Sequence, residues 1–553
     1  MPSVDTASAI LSSLDALGVT HVLYCPGSRS APFAYALEAG SFGGDARAVL
    51  DERGAGFAAV GLARTGALPA IVVTSGTAVA ELAPAVLEAS HARLPLLLLT
   101  ADRPGELRGV GASQATDQSG FFGAQVRASI DLEPQEASPS LVGHLARAVA
   151  AACGAPSGAP GPVQVNVAFR DPLTPVRPAC DCGDEAGASF VPRPTRVLAA
   201  PAVPVPWEDV VGPAAAGLIV AGEGASPRAR EWSAASGFPL LAEPASGAWS
   251  GGGVTPFEQS LVSSLLGREV DAVVVTGRPT LSRPIQALLA RPDVRVVVVD
   301  PHTPWVDISG NASVVVADLE PAREPIRAAQ AEWASRVRDA AREAGGRIES
   351  LLASGSGRTM LDLARAVAAS TSGPLVLGAS NPVRAFDLAV PTLEGRIVHS
   401  SRGQAGIDGT IATAVGICLG SGYAGEVSAP AGERVTAVIG DLTACHDASS
   451  LALAASAGAH LDIVVADDQG GGIFATLEHG RATSPEAYER WFGLAQSVDY
   501  EALAAAYGVA FARAETPAQL AQLLETGEAG PRLVHAPVER AAHLYPAVHD
   551  VLS

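Results

Sequence analysis

Along most of the chain, short runs of Val, Ile and Leu alternate with alanine-rich stretches, and this alternation limits the fold more than any other feature. The runs THVLYC (20–25), AIVVTS (70–75), LPLLLLTA (94–101) and VQVNVAF (163–169) are continuously apolar and bounded by turn residues. Strands covered on both faces read this way, because helices pack against either side of a parallel sheet. Between them, GAGFAAVGLART and AVAELAPAVLEASHA read as helices. Strand–helix–strand in this order predicts doubly wound α/β units built on parallel sheets.

The pattern is broken into three blocks. Residues 172–206 hold eight prolines and little strand or helix signal, the mark of an extended, semi-rigid connection. A second block follows, with strands at 217–222, 271–277, 294–300 and 312–318. A polar, Arg- and Glu-rich helix at about 321–353 then leads into SGSGR (354–358), a second boundary. PLVLGAS, RIVHSS, RVTAVIGD, HLDIVVADD and PRLVHAPV are the strands of the third block. The expected division is a first domain at 1–180, a proline-rich linker at 181–206, a central domain at 207–353 and a last domain at 354–553. The first and third blocks also resemble each other. Each places a small-residue turn holding Ser and Arg, Ser28 with Arg29 and Ser380 with Arg384, where a strand ends and a helix begins. Two related units with ligand-facing loops at the carboxyl ends of their strands are implied.

Composition narrows the chemistry. None of the 553 residues is lysine: all 37 basic side chains are arginine, against 57 Asp plus Glu, for a formal charge of −20. No side-chain amine is present for a Schiff base, and no lysine completes a Walker A loop, so pyridoxal-phosphate enzymes and P-loop NTPases are excluded. The negative charge argues against nucleic-acid or anionic-membrane partners. Six cysteines (25, 153, 180, 182, 418, 445) are too sparse for a disulfide framework, and Cys180 and Cys182 read as free thiols. No signal pattern and no apolar run of roughly eighteen residues is found, so a soluble cytoplasmic protein is expected.

The most specific stretch is VIGDLTACHDASSLALAASAGAHLDIVVADDQGGGIF. One strand ends in Gly440-Asp441 and the next in Asp467-Asp468-Gln469, followed by Gly470-Gly471-Gly472. Asp441 alone could simply cap a helix, and Asp467 and Asp468 could simply start a turn. Spaced 27 residues apart on neighbouring parallel strands, however, Asp441 and Asp468 come together at one sheet edge. Two carboxylates and a carbonyl from a glycine loop form a hard oxygen site for an octahedral cation that keeps room for phosphate oxygens.

This arrangement resembles the magnesium and diphosphate signature of thiamine-diphosphate enzymes. The resemblance implies that Asp441, Asp468 and the Gly470 carbonyl hold Mg2+ or Mn2+. Asp stands at 467 and 468 where the family has Asn, which keeps the oxygen donor and adds charge. It also implies that Glu52, in LDERGAGFAAVGLARTG, bonds a pyrimidine ring nitrogen of the cofactor and favours the imino tautomer that forms the ylid. Further motifs, CPGSRSAPFAYAL, DERGAGFAAVGLA, TSGTAVAELAPAVLEA, LLLTADRPGELRGVGASQATDQSGFFG, SSRGQAGIDGTIATAVG and DDQGGGIFATLE, are similar to 2-succinyl-5-enolpyruvyl-6-hydroxy-3-cyclohexene-1-carboxylate synthases of menaquinone biosynthesis. The match runs from about residue 20 to about 480 and is weakest in the middle block.

That likeness implies pyrimidine-binding, central and diphosphate-binding domains in a homodimer or homotetramer, with the cofactor held across a subunit interface. It implies a transferase that decarboxylates 2-oxoglutarate on thiamine diphosphate and adds the succinyl-semialdehyde carbanion to isochorismate. Carried over residue by residue, the substrate-binding positions are Ser28, Arg29, Arg103, Gln114, Arg283, Ser380, Arg384 and Arg402. Ser282-Arg283 stands where the family has Lys-Arg. The cofactor positions are Glu52, Gly403, Ile407, Gly440, Asp441, Leu442, Thr443, Asp468, Gly471, Gly472, Ile473 and Phe474, with Leu477 continuing an apolar wall. Five arginines suit two dianionic substrates, since guanidinium pairs with carboxylate in a two-pronged contact. The nearest competing activity is another thiamine-diphosphate 2-oxo-acid decarboxylase or carboligase, which would not need a second carboxylate site. A catalytically silent homologue would have no call to keep Glu52, Asp441 and Asp468 together.

Overall fold

In the computed structural model, which describes residues 3–175, 192–421 and 432–552, the apolar runs are strands whose side chains are buried on both faces. Cys180 and Cys182 lie outside the described residues. The first sheet contains β1 (His21–Tyr24), β2 (Asp45–Ala48), β3 (Pro69–Val73), β4 (Leu96–Asp102), β5 (Ala128–Leu132) and β6 (Pro162–Ala168). Its strand order is β2-β1-β3-β4-β6-β5, every pair parallel. The interior strands are buried throughout, whereas the edge strands β2 and β5 alternate between half-buried and exposed positions over most of their length.

The chain forms two compact units. The first comprises residues 1–200 with two later segments, 411–432 and 449–457. The reason for that association is visible in glycines. The helix Glu52–Arg64 and the helix Thr410–Gly420 meet so closely that a Cβ on Gly61 would lie 2.1 Å from the Thr413 carbonyl oxygen. A Cβ on Gly416 would lie 2.0 Å from the Ala58 carbonyl oxygen. Only hydrogen side chains let two backbones approach this way.

The second unit carries two large sheets. After β7 (Pro204–Val205), the central sheet is built from β8 (Gly217–Ala221), β9 (Leu240–Ala242), β10 (Ala272–Thr276), β11 (Arg295–Val299) and β12 (Ala312–Val316), in the order β12-β11-β10-β8-β9. A short strand, β13 (Asp318–Leu319), pairs with β7. The polar helix runs from Ala328 to Ala353, not from 321: Pro321 and Pro325 favour extended backbone at the residues before them and delay helix entry. The last sheet holds β14 (Leu375–Leu377), β15 (Val398–His399), β16 (Val435–Gly440), β17 (Leu461–Asp467), β18 (Ala510–Arg513) and β19 (Arg532–Pro537). Its order, β15-β14-β16-β17-β19-β18, is that of the first sheet strand for strand, and again all parallel. This shared winding is what the repeated Ser/Arg turns anticipate.

Below the last sheet's active edge, Asp462 on β17 is buried between two arginines. It accepts from Arg434 Nε at 2.6 Å and from Arg532 Nε at 2.8 Å, and Arg532 is itself 1% exposed. Among the described residues no helix is long and apolar enough to cross a membrane.

Gly416→Ala is expected to destabilise the protein by about 1–3 kcal/mol, the usual cost of overpacking, because the obstructing atom is backbone and cannot rotate away. Urea unfolding of the variant beside the parent protein measures this; an unchanged midpoint would mean that the two helices are free to separate.

Candidate active site

Parallel strands deliver the loops that follow them to one edge, and ligands sit where the winding reverses. In the first sheet that point lies between β1 and β3. The turn after β1 carries Ser28, exposed, and Arg29, half-buried. It is pressed against the end of β3, where a Cβ on Gly27 would stand 2.3 Å from Thr74 Cβ. Arg29 donates from Nη1 to the Phe169 carbonyl at 2.9 Å. Arg103, after β4, reaches the same edge: its Nη1 donates to Ser75 Oγ at 2.5 Å and to the Gln114 carbonyl at 2.7 Å. Gln114 itself is exposed and left-handed, with φ 52°. A buried polar network backs this loop. Gln118 Nε2 donates to Asn166 Oδ1 at 2.8 Å, Asn166 Nδ2 donates to Asp102 Oδ2 at 3.0 Å, and Arg108 pairs with Asp102 and Asp131.

Glu52 opens the helix Glu52–Arg64, but capping that helix is the work of its neighbour. Asp51 accepts from the amides of Arg53 and Gly54 and also from Ser449 Oγ at 2.8 Å. The Glu52 side chain therefore has no capping duty to explain it. It is half-buried and close to Cys25, whose thiol is pushed up first by burial and then by Glu52 and Asp51.

In the last sheet the reversal lies between β14 and β16, bringing Ser380 and Asp441 to one crevice. β16 pairs with β17, with Gly440 opposite Ala466, so the loop carrying Asp468 adjoins. Gly440 precedes the short helix Asp441–His446, in which Asp441 and Thr443 are buried. The Asp441 carboxyl is raised to about 6, chiefly by burial. Asp468 is raised to about 7, by burial and then by Asp441. Asp467 behaves oppositely: burial works against its charge, but His535 at 2.9 Å and the Gln469 amide at 2.9 Å hold it below the usual range. Asp467 is thus committed to the protein, whereas Asp468 feels the charge of Asp441 more than the counter-charge of Arg540. Asp441 Oδ2 is buried with no hydrogen-bond partner.

Glycine is a steric necessity at 470 and 471, where backbone obstructs a side chain, and at 472 a Cβ would displace the Asp468 carboxylate. A Cβ at 470 would lie 2.0 Å from the Gly493 carbonyl oxygen, at 471 it would lie 2.1 Å from that of Phe492, and at 472 it would lie 1.9 Å from Asp468 Oδ2. Gly470 also has φ 127°. Arg540 fastens the loop through the carbonyls of Asp468 and Gln469, and Tyr488 donates to the Gly471 carbonyl at 2.8 Å. Ile473 and Phe474 lie half-buried, with Phe474 against the ring of Phe492.

Residues 4–121 match the family described as thiamine pyrophosphate enzyme, N-terminal TPP binding domain, and residues 385–536 match the corresponding C-terminal TPP binding domain. Curated relatives named 2-succinyl-5-enolpyruvyl-6-hydroxy-3-cyclohexene-1-carboxylate synthase align over nearly the whole chain. One from Kineococcus radiotolerans is 41% identical, covering 96% of this chain and 95% of its own. One from Nocardioides sp. is 39% identical over 97% and 95%, and one from Mycobacterium leprae is 37% identical over 98% of both. The chain belongs to the 2-succinyl-5-enolpyruvyl-6-hydroxy-3-cyclohexene-1-carboxylate synthase family.

For a member of this synthase family, the remaining arginines of the second unit are the informative part. Arg402, after β15, is 5% exposed; its Nη2 donates to Thr280 Oγ1 at 3.1 Å, while Nε and Nη1 are buried without a partner. Arg384 sits in the first turn of the helix Asn381–Ala389 and donates from Nη1 to the Ser380 carbonyl at 2.8 Å. Burial, and next the charge of Arg402, pull it down to about 10. Arg283 opens the helix Arg283–Leu289 and is exposed, within 3.5 Å of Glu478. Ser282 caps that helix by accepting from the Ile285 amide, a task a lysine could not do. Arg283, Arg384 and Leu477 line one cavity of about 830 Å3, together with Gln259, Leu281 and Tyr545. Gly403 accepts from Arg278 at 3.2 Å, and Ile407 is half-buried two residues after the left-handed Ala405.

A divalent cation suits this donor set. Among the described residues no group of three His, Cys, Asp or Glu side chains gathers for a metal. The two carboxylates here, one with an orphaned buried oxygen, would instead be joined by the Gly470 carbonyl, which accepts from Gly472 N–H and keeps a second lone pair.

Burial of the two carboxyls, and next the charge of Asp441 on Asp468, sets a pH dependence. Both folded values lie above the ordinary 3.8, so the stability these groups lend is complete below about 3.8 and is lost as pH rises through about 6 and about 7. Asp468→Asn should flatten that loss in protein stripped of metal with EDTA. Thermal unfolding from pH 5 to pH 8 should show the variant gaining on the parent as pH rises; parallel curves would mean that the Asp468 carboxyl is not raised on folding.

Proposed function

We propose that this chain catalyses formation of 2-succinyl-5-enolpyruvyl-6-hydroxy-3-cyclohexene-1-carboxylate in menaquinone biosynthesis, by decarboxylating 2-oxoglutarate and joining the resulting four-carbon unit to isochorismate. The observation that carries the reading is the arginine pair of the second unit. Arg384, half-buried, and Arg402, buried, repel each other, and Arg402 holds two donors that no protein group accepts among the described residues. Anions in front of such a pair relieve its repulsion. A substrate with a single carboxylate would leave part of that donor set unanswered, whereas 2-oxoglutarate and isochorismate each bring two.

Thiamine diphosphate, when bound, supplies the nucleophilic carbon and the electron sink for the carbon–carbon chemistry. The protein's part is positional and electrostatic. Glu52 holds a proton toward the pyrimidine ring nitrogen, a role its freedom from helix capping supports. Asp441, Asp468 and the Gly470 carbonyl would hold Mg2+ or Mn2+, with Gly440, Leu442, Thr443, Gly471 and Gly472 around the diphosphate and Gly403 beside the cofactor. Ile407, Ile473, Phe474 and Leu477 exclude water from the reacting centre, which lowers the local dielectric and favours loss of a carboxylate as neutral carbon dioxide. Ser28, Arg29, Arg103, Gln114, Arg283, Ser380, Arg384 and Arg402 receive the substrates. The division into pyrimidine-binding (1–180), linker (181–206), central (207–353) and diphosphate-binding (354–553) regions belongs to this reading. So do a cytoplasmic location and a homodimer or homotetramer in which Glu52 of one subunit and the metal site of another serve one cofactor.

Three measurements test it. Glu52→Gln should abolish turnover while leaving the circular dichroism spectrum unchanged; substantial residual product would overturn the role of Glu52. Carbon dioxide release from 2-oxoglutarate, with thiamine diphosphate and Mg2+, should rise on adding isochorismate. Arg402→Ala or Arg384→Ala should weaken substrate use by roughly 1.5–3 kcal/mol, the range for a hydrogen bond to a charged group. Unchanged kinetics with both substrates would remove the substrate assignment.

A further inference from the structure

The central sheet contributes a buried carboxyl that none of these roles uses. Glu243 follows β9 and is 2% exposed. Its Oε1 accepts from the Leu281 amide at 2.6 Å, and the Ser282 amide also donates to it. Those amides belong to the loop between β10 and the helix Arg283–Leu289, the segment that holds Thr280 and Arg283. Thr280 Oγ1 is the acceptor for Arg402 Nη2, and its carbonyl is tied by Gln286 Nε2 at 3.0 Å. The turn Pro244–Ser246, immediately after Glu243, packs against β15, which leads to Arg402, and against the helix Asn381–Ala389, which carries Arg384. One side chain therefore sits at the joint of three segments, each of which delivers an arginine to the proposed substrate region.

We propose that Glu243 is a positioning residue for substrate binding: its buried carboxyl fixes the 278–283 loop so that Thr280 orients Arg402 with Nε and Nη1 presented to a substrate carboxylate. The role rests on the reading that Arg402 meets substrate. It gives the central region a part in recognition without contact with the reacting atoms.

The surroundings show which property of Glu243 matters. Burial raises it to about 8; Arg402 and the two amides pull the other way, and Asp387 pushes it up again. Glu258, buried with both oxygens unpartnered, and Asp387, which accepts from Gln259 Nε2, complete the acidic surroundings. Near neutrality the Glu243 carboxyl carries its proton much of the time, so the loop is held by an acceptor oxygen more than by a full charge. Glutamine offers the same oxygen; alanine offers none.

The test uses the full chain with thiamine diphosphate and Mg2+, with steady-state kinetics in each substrate. Glu243→Ala should raise KM for one substrate about fivefold, the loss expected when one hydrogen bond no longer holds its loop, with kcat changed far less. Glu243→Gln should recover most of that loss. The double variant Glu243→Ala, Arg402→Ala should be no worse than Arg402→Ala alone, because both remove one interaction. An unchanged KM in Glu243→Ala, additive effects in the double variant, or a glutamine variant as impaired as alanine would each overturn the proposal. Thr280→Val keeps the buried carboxyl and removes the oxygen that receives Arg402, so it should raise the same KM. If Glu243→Ala does not fold, an unmoved KM in Thr280→Val overturns the proposal on its own. Arg402→Ala with both KM values unchanged would instead remove the substrate reading itself, and the positioning role with it.

Discussion

Parallel pairing is the constraint on which everything else depends. In each of the three large sheets every ladder is parallel, so all strands end at one edge and every following loop emerges there. Residues far apart in sequence are thereby gathered without any loop having to travel. β14, β16 and β17 are neighbours, and so Ser380, Asp441 and Asp468 share an edge. β1, β3 and β4 do the same for Ser28, Ser75 and Arg103. The arrangement also concentrates like charge. Asp441 raises Asp468 and Arg402 lowers Arg384, so in each pair the like charges repel. The apolar strands beneath, buried along nearly their whole length, are what hold such pairs in place.

This shows why the loops rather than the strands distinguish the two halves of the molecule. The first and last sheets share one winding order, yet one edge presents Arg29, Arg103 and Gln114 while the other presents two carboxylates and a glycine loop. A common scaffold fixes where a residue can appear, and the side chains grafted at its edge fix what it can do.

What could be read in the sequence follows the same physics. Interior strands are continuous apolar runs and declare themselves; β2 (DARA), β5 (ASIDL) and β18 (AFAR) are edge strands, half-solvated, and their composition does not separate them from loops. The Ser/Arg turns revealed the repeated winding because they are local. Partners contributed from a distant strand were not legible. His535, on β19, commits Asp467 to the protein, and Arg540 clamps the glycine loop, yet neither lies near Asp468 in sequence. Glu243 carries no motif at all, since its significance lies in the two amides it meets 38 residues away or more.

The absence of lysine now has a structural sense. A guanidinium has five donors in a fixed plane, so it can spend some on the protein and still present others. The arginines here divide along that line. Arg532 gives Nε to Asp462 and Nη2 to the Leu523 carbonyl, and Arg434 meets Asp462 with two nitrogens and backbone carbonyls with the rest; both are structural. Arg402 spends Nη2 on Thr280 and leaves Nε and Nη1 unanswered within the protein. An ammonium group held by one hydroxyl could swing about that bond, whereas a planar fork held at one tip keeps its remaining donors aimed. In a chain of charge −20, where a mobile cation on the surface would be drawn to the nearest carboxylate, that rigidity keeps the remaining donors in place.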